Sequence, residues 1–373
     1  MKGKSAALTG GGKTAGERNQ MKAWKKYGMA ALIGTAALFC GAEASAESVL
    51  DRPYQNMEMQ DVKTEGTLVF SDCPEYVQQT GVLAEGTIQG EGRIYYYHVN
   101  DTGMRTRLVV YAQSNQAADV RVTRFIQAVP STDYVTSGET LSFSEMVAGN
   151  QTPLDIQLAP EKRTVVASEA SSGMLPGYLY SGIVEVETKK PVKFGVAMLP
   201  MTGDLQGALD AAGTVPADSH ALRGTFPKTV YRENKNVWNT DAGVPQELIV
   251  GGNGSLPFYR GMDELDGTER ENTGDYGTTL KIRIRTEGSK PYRIYFNPLG
   301  GVYMGSFKIT QGFLPRYYRT DDMKYHGHQL GEETLDDYID TGKWAAGKPV
   351  MIEFLAAGAT YLPVRFLFVP EEA

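Results

Sequence analysis

The sequence predicts an all-β protein: two consecutive β-sandwich domains, immunoglobulin-like or jelly-roll-like, behind a signal peptide. Three observations predict it. β-Branched and aromatic residues recur at every second position over most of the chain after residue 67. Turn-forming clusters separate these runs at intervals of roughly 8–12 residues, the rhythm of sandwiches and barrels. Helical periodicity is confined to brief stretches. With 41% apolar residues, 21 Tyr and 13 Phe in 373 residues, there is core material for about two domains.

Taken in order, residues 1–46 form a leader. Met21-Lys22-Ala23-Trp24-Lys25-Lys26 is cationic, residues 28–41 are apolar, and Ala44 and Ala46 give the small-residue pattern that signal peptidase cleaves, here after Ala46. The apolar run is too short to span a bilayer as a helix, and the bulky Phe39 before Cys40 disfavours lipoprotein processing. Residues 1–20 precede a complete signal and are read as an over-extended gene start. Cleavage removes seven of the 37 Lys/Arg and two of the 44 Asp/Glu, so the mature chain carries a net charge of −12. Such a balance argues against nucleic acid and a general anionic-lipid surface as partners. Only Cys73 remains, so no intramolecular disulfide can form, and the mature chain has no membrane span.

Residues 47–66 read as a leader strand or short tether, and residues 67–200 as the first sandwich. Arg93-Ile94-Tyr95-Tyr96-Tyr97-His98-Val99 and Arg107-Leu108-Val109-Val110-Tyr111-Ala112 flank the turn residues Asn100-Asp101-Thr102-Gly103. Strands are expected again at 119–126, 163–168, 178–187 and 192–199, with a short helix near 144–148. The pattern lapses over 201–221, a weakly helical stretch at 205–211 included, and this is the expected linker. Residues 222–373 form the second sandwich. Thr279-Leu280-Lys281-Ile282-Arg283-Ile284-Arg285 alternates cleanly, and its cations Lys281, Arg283 and Arg285 read as a solvated sheet face. The closing strand places Leu362, Val364, Phe366 and Phe368 on one face, so it is expected to be central. Residues 311–347 show no clear strand and read as a long insertion, functional or mobile.

Certain stretches resemble exported bacterial proteins of the copper amine oxidase N-terminal-domain-containing group. They are residues 259–267 (Tyr259-Arg260-Gly261-Met262-Asp263-Glu264-Leu265-Asp266-Gly267), 272–277 (Asn272 to Gly277), 297–305 (Asn297 to Gly305) and Tyr361-Leu362-Pro363-Val364. The similarity extends upstream over about 70–200. It implies a β-rich exported body. It implies neither copper nor oxidation, because the small domain that carries the name is not found here, and the four histidines of the mature chain are scattered.

Candidate sites follow from residue type and spacing. His326 and His328, at i and i+2, would face one side of an extended segment and hold a metal with Asp321 or Asp322; two surface histidines are the plainer alternative. Asp263, Asp266, Asn272 and Asp275, with Gly267 and Gly274, would make an oxygen cage for Ca²⁺, against the plainer reading of Asx turns joining strands. Tyr317, Tyr318, Tyr325 and Trp344 would offer an aromatic platform for sugar rings, or else pin the long loop to the sandwich. No nucleophile elbow or phosphate-cradling loop occurs, and Gly251-Gly252-Asn253-Gly254 lacks the continuation such a loop needs. No catalytic residue and no required cofactor is therefore assigned. The expectation is an exported, non-catalytic cell-envelope protein presenting loops 259–277 and 311–347 to a glycan or protein partner. The alternatives are an exported carbohydrate-active hydrolase using carboxylates of those loops and an architectural surface-layer component.

Overall fold

Strands dominate the protein, as the alternation requires. The computed structural model describes residues 48–168, 173–252, 256–320 and 329–372. The expected leader, with its cleavage point, lies outside them, as do Tyr325, His326 and His328. Among the described residues the α-helices are Tyr134–Val147 and Leu205–Asp210, and no helix is long and apolar enough to cross a membrane.

Two long antiparallel strands, Gly81–Asn100 and Leu179–Pro200, organise the first half. Their register breaks between Ile88 and Gly90. Beyond Leu179–Pro200 the neighbour is Ala118–Gln127 along one half and Thr106–Gln113 along the other. The pair thus bends and closes its inner face on one core, in which Ile88, Ile94, Tyr96, Val120, Val184, Phe194 and Val196 meet. The bend needs glycine: a Cβ on Gly92 would lie 2.5 Å from the Ile88 side chain. Alternation sends Tyr95 and Tyr97 the other way, into a second cluster with Phe70, Leu141 and Phe226.

In the second half a five-stranded sheet faces part of the large one. Its order is Gln55–Asn56, Gln246–Val250, Val364–Pro370, Tyr292–Pro298 and Ile339–Trp344. Val364, Phe366 and Phe368 point inward against Ile282, Phe307 and Phe354 of the opposing layer. Arg365 points out and reaches Asn297 and Glu247. The closing strand is central, as its composition predicts.

The halves share one sheet. Arg223–Asn234 pairs antiparallel with Met59–Ser71, which runs parallel to Gly81–Asn100. Val49–Ala373 accordingly forms one compact unit. Residues 47–66 supply the leader strand, and Met57 and Met59 sit in the second core. Residues 201–221 pack rather than dangle: Leu209 and Val215 are buried, and the Val215 N–H donates to the Val82 carbonyl.

Two corrections follow. The helix expected at 144–148 runs from Tyr134 to Val147. Its buried face mixes Leu141 and Met146 with Ser137, Gly138, Glu139 and Ser142, so its apolar period is too sparse to read. Glu139 pairs with Arg319, and Ser142 Oγ donates to the Leu355 carbonyl, so the helix is clamped onto the second half. Asp133 caps its N-terminus by accepting from the Thr136 N–H. Asp133→Ala is expected to cost about 1 kcal/mol, read as a lower urea midpoint. The insertion expected at 311–347 contains strands Leu314–Arg319 and Ile339–Trp344. The first returns along Ser306–Gln311 through Gly312, which is left-handed at φ +76°.

Candidate functional site

Among the described residues, Tyr317, Tyr318 and Trp344 do not assemble into the anticipated aromatic platform. Tyr318 stacks on Phe307 with ring centroids 5.0 Å apart, and its hydroxyl donates to the Thr341 carbonyl. Trp344 is buried, its Nε1–H donating to Thr341 Oγ1, and Arg316 covers its ring. Both are core residues, and Trp344 joins the face of Ile339 and Thr341 because the register of its strand shifts opposite Arg293–Tyr295. Tyr317 points outward and is exposed.

The calcium cage does not form either. Asp263 is buried, faces the guanidinium of Arg223 at 2.6 Å and accepts from the Leu265 N–H. Asp266 accepts from Thr268 and Arg270. Asn272 clasps the backbone of Tyr276 through both its amide atoms. Asp275 accepts from the Tyr259 N–H. Each of these side chains serves its own turn or ion pair, and among the described residues no three His, Cys, Asp or Glu side chains group as a metal site. The cationic face is likewise engaged: Lys281 lies over the Tyr231 ring, and Arg285 donates to the Asn234 carbonyl.

What these turns build is a cleft. The 272–276 turn, the end of Gln246–Val250 and the segment before the closing strand enclose about 340 Å³. Phe258, Tyr276, Tyr361 and Leu362 supply its apolar faces, and Thr273 and Thr360 its hydroxyls. The walls are held closely. Leu299 and Gly300 both donate their N–H groups to the Pro363 carbonyl at 3.0 Å. A Cβ on Gly300 would stand 2.2 Å from the Leu362 carbonyl oxygen, and one on Gly252 2.6 Å from Pro363. Tyr276 donates its hydroxyl to the Thr360 carbonyl across the floor. Among the described residues no charged side chain lines the space.

Beside it sits a partly buried polar network. Tyr259 Oη accepts from Arg232 and donates to Asp61, each at 2.7 Å, while Arg232 also grips Asp61. Asp275 lies beside it in a left-handed conformation, φ +52°. Burial pushes its carboxyl from 3.8 to about 6, against the Tyr259 N–H and Arg232, which favour the charge; Asp61 and Glu271 add to the rise.

A second polar centre had no signal in the sequence. Ser71 Oγ lies 2.7 Å from His98 Nε2, and His98 Nδ1 lies 2.9 Å from the Pro74 carbonyl. That carbonyl can only accept, so Nδ1 carries the proton and the serine donates to Nε2. Burial pushes the imidazole down to about 4, so it is neutral at pH 7. The pair has the spacing of a nucleophile and its base. Both residues are inaccessible, however, and a carbonyl stands where an orienting carboxylate would serve catalysis. Nearby, burial raises the carboxyls of Asp72 and Glu75. Burial also opposes the Asp218 charge, but the N–H groups of Ala221, Glu75 and His220 and the Cys73 thiol outweigh it and hold that carboxyl low.

No protein-family model matches the chain, and no curated protein matches it. Among solved structures it aligns with the crystal structure of the PBSX exported protein XepA at 9% identity and a TM-score of 0.14, over 91% of this chain and 100% of that one. A score so low carries no argument about fold or function.

Proposed function

We propose that this is an exported, non-catalytic cell-envelope protein whose cleft between Tyr276 and Tyr361 binds an uncharged glycan. The supporting observation is the lining: aromatic and aliphatic faces beside two threonine hydroxyls, with no ionic group among the described residues. Sugar rings present apolar faces edged by hydroxyls, so flat side chains stack on them while neighbouring hydroxyls and backbone groups take their hydrogen bonds. A glycosidase needs two carboxyl groups flanking the bond it cleaves. Asp275, a carboxyl of raised pKa beside the 272–276 turn, spends an oxygen on the Tyr259 N–H instead. Export is supported by the cationic, apolar and small-residue order of residues 21–46.

The test uses protein starting at Glu47. Neutral oligosaccharides are screened on an array, and hits are measured by calorimetry. Tyr361→Ala is expected to weaken binding about tenfold or more, equivalent to 1.4 kcal/mol or above, without lowering the urea midpoint. Tyr361 is 38% exposed, so its removal leaves the core intact. Preference for anionic glycans, or unchanged binding by the variant, would overturn the assignment.

A further inference from the structure

We propose that the hairpin tip Phe313–Leu314 is a docking point for an anionic lipid surface. The tip closes Ser306–Gln311 onto Leu314–Arg319 at the outer edge of the large sheet. Phe313 is fully exposed and Leu314 is 81% exposed. Two large apolar side chains at the apex of one turn present surface that water solvates poorly. The hairpin is also held in place. Gln311 donates to the carbonyls of Ala345 and Lys348 and accepts from the Ala345 N–H, so the tip projects from a fixed base.

The surroundings decide the occupant. Lys348 is exposed on the loop that Gln311 grips. Arg316 is exposed one step down the strand, its guanidinium stacked on Trp344 rather than facing a carboxylate among the described residues. An apolar apex with cations just behind it matches the layering of a bilayer, where acyl chains lie beneath anionic headgroups. The chain as a whole is acidic, and exposed Glu287 follows Thr286, whose hydroxyl donates to the Lys348 carbonyl; Arg316, two residues from Leu314, and Lys348, on the loop that Gln311 grips, are the cations nearest the tip in sequence and pairing. A second copy adding a strand here is disfavoured by Pro315, which removes a backbone donor from the edge strand. None of this depends on the cleft.

Protein starting at Glu47 is sedimented with vesicles of phosphatidylglycerol or of phosphatidylcholine. Binding to the anionic vesicles is expected and should weaken with salt. The double variant Phe313→Ser with Leu314→Ser should reduce it at least tenfold, and Lys348→Gln with Arg316→Gln should abolish most of its salt dependence. Phe313→Trp should shift its emission to the blue on binding and be quenched by brominated acyl chains. Circular dichroism and an unchanged urea midpoint establish that each variant is folded. No vesicle binding by the parent, equal binding by the serine variant, or a dimer that the serine variant dissociates would each overturn the proposal.

Discussion

Asp275→Asn is expected to stabilise the protein at neutral pH and to leave it unchanged in acid. The carboxyl is 7% exposed, and burial raises its pKa from 3.8 to about 6. A group whose pKa is raised by folding favours the native state fully below its unfolded value and loses that contribution as pH climbs through the folded one. The parent should therefore lose stability between about pH 4 and pH 7 on account of this group. A rise from 3.8 to about 6 corresponds to about 3 kcal/mol, taken as an upper bound. Asparagine cannot ionise, still offers an oxygen to the Tyr259 N–H, and tolerates the left-handed backbone at φ +52° better than most residues. Other carboxylates titrate in the same range, so the informative quantity is the difference between variant and parent in urea midpoints across pH. A difference near zero at pH 4 that grows towards pH 8 is the expected curve. A flat difference would mean that Asp275 is not held neutral by its surroundings.

The strands were legible because burial on one face writes itself as alternation. Leu280, Ile282 and Ile284 point into the core with Lys281 and Arg283 outward, and the closing strand repeats the arrangement. What stayed illegible is non-local or polar. Nothing in residues 55–71 says that they pair with 223–250 across the chain, because register between distant strands depends on the partner as much as on the strand. The Tyr134–Val147 helix hid because only Leu141 and Met146 are apolar among its buried residues, the rest being serines, a glycine and a glutamate. The stretch from 314 to 344 hid for a different reason. Leu314–Arg319 is an edge strand with its first four residues exposed, so no apolar alternation marks it.

The site was half legible. Of the two loops singled out for function, 259–277 lines the cleft through Thr273, Gly274 and Tyr276, whereas no described residue of 311–347 does; the facing wall is the Tyr361–Pro363 stretch, marked beforehand only by resemblance. Their chemistry was misread, since Asx-Gly spacing is the same whether side-chain oxygens turn to a cation or to neighbouring N–H groups. Asn272 and Asp275 turn to Tyr276 and Tyr259. Tyr318 and Trp344 were misread because aromatic residues suit a core as well as a sugar, and only the partner across the layer decides.

Asp263→Ala carries the largest expected loss. Asp263 is 0% exposed and Arg223 is 2% exposed, their nearest atoms 2.6 Å apart. Arg223 also donates to the carbonyls of Leu83 and Val215, so it ties the 260–271 hairpin to the first core. Removing the carboxylate leaves a guanidinium in low dielectric without its counter-charge, which typically costs about 3–5 kcal/mol. It also frees the Leu265 N–H. Replacing both partners, Arg223→Met with Asp263→Leu, should recover much of the loss, because the penalty lies in the stranded charge. Urea denaturation with and without millimolar calcium separates this role from ion binding. A ligand that binds only the native state raises its stability with concentration, so a calcium-dependent midpoint in the parent that vanishes in Asp263→Ala would restore the cation site. The ion-pair role instead requires the variant's deficit to be the same in both buffers, and the Arg223→Met, Asp263→Leu pair to exceed Asp263→Ala in stability.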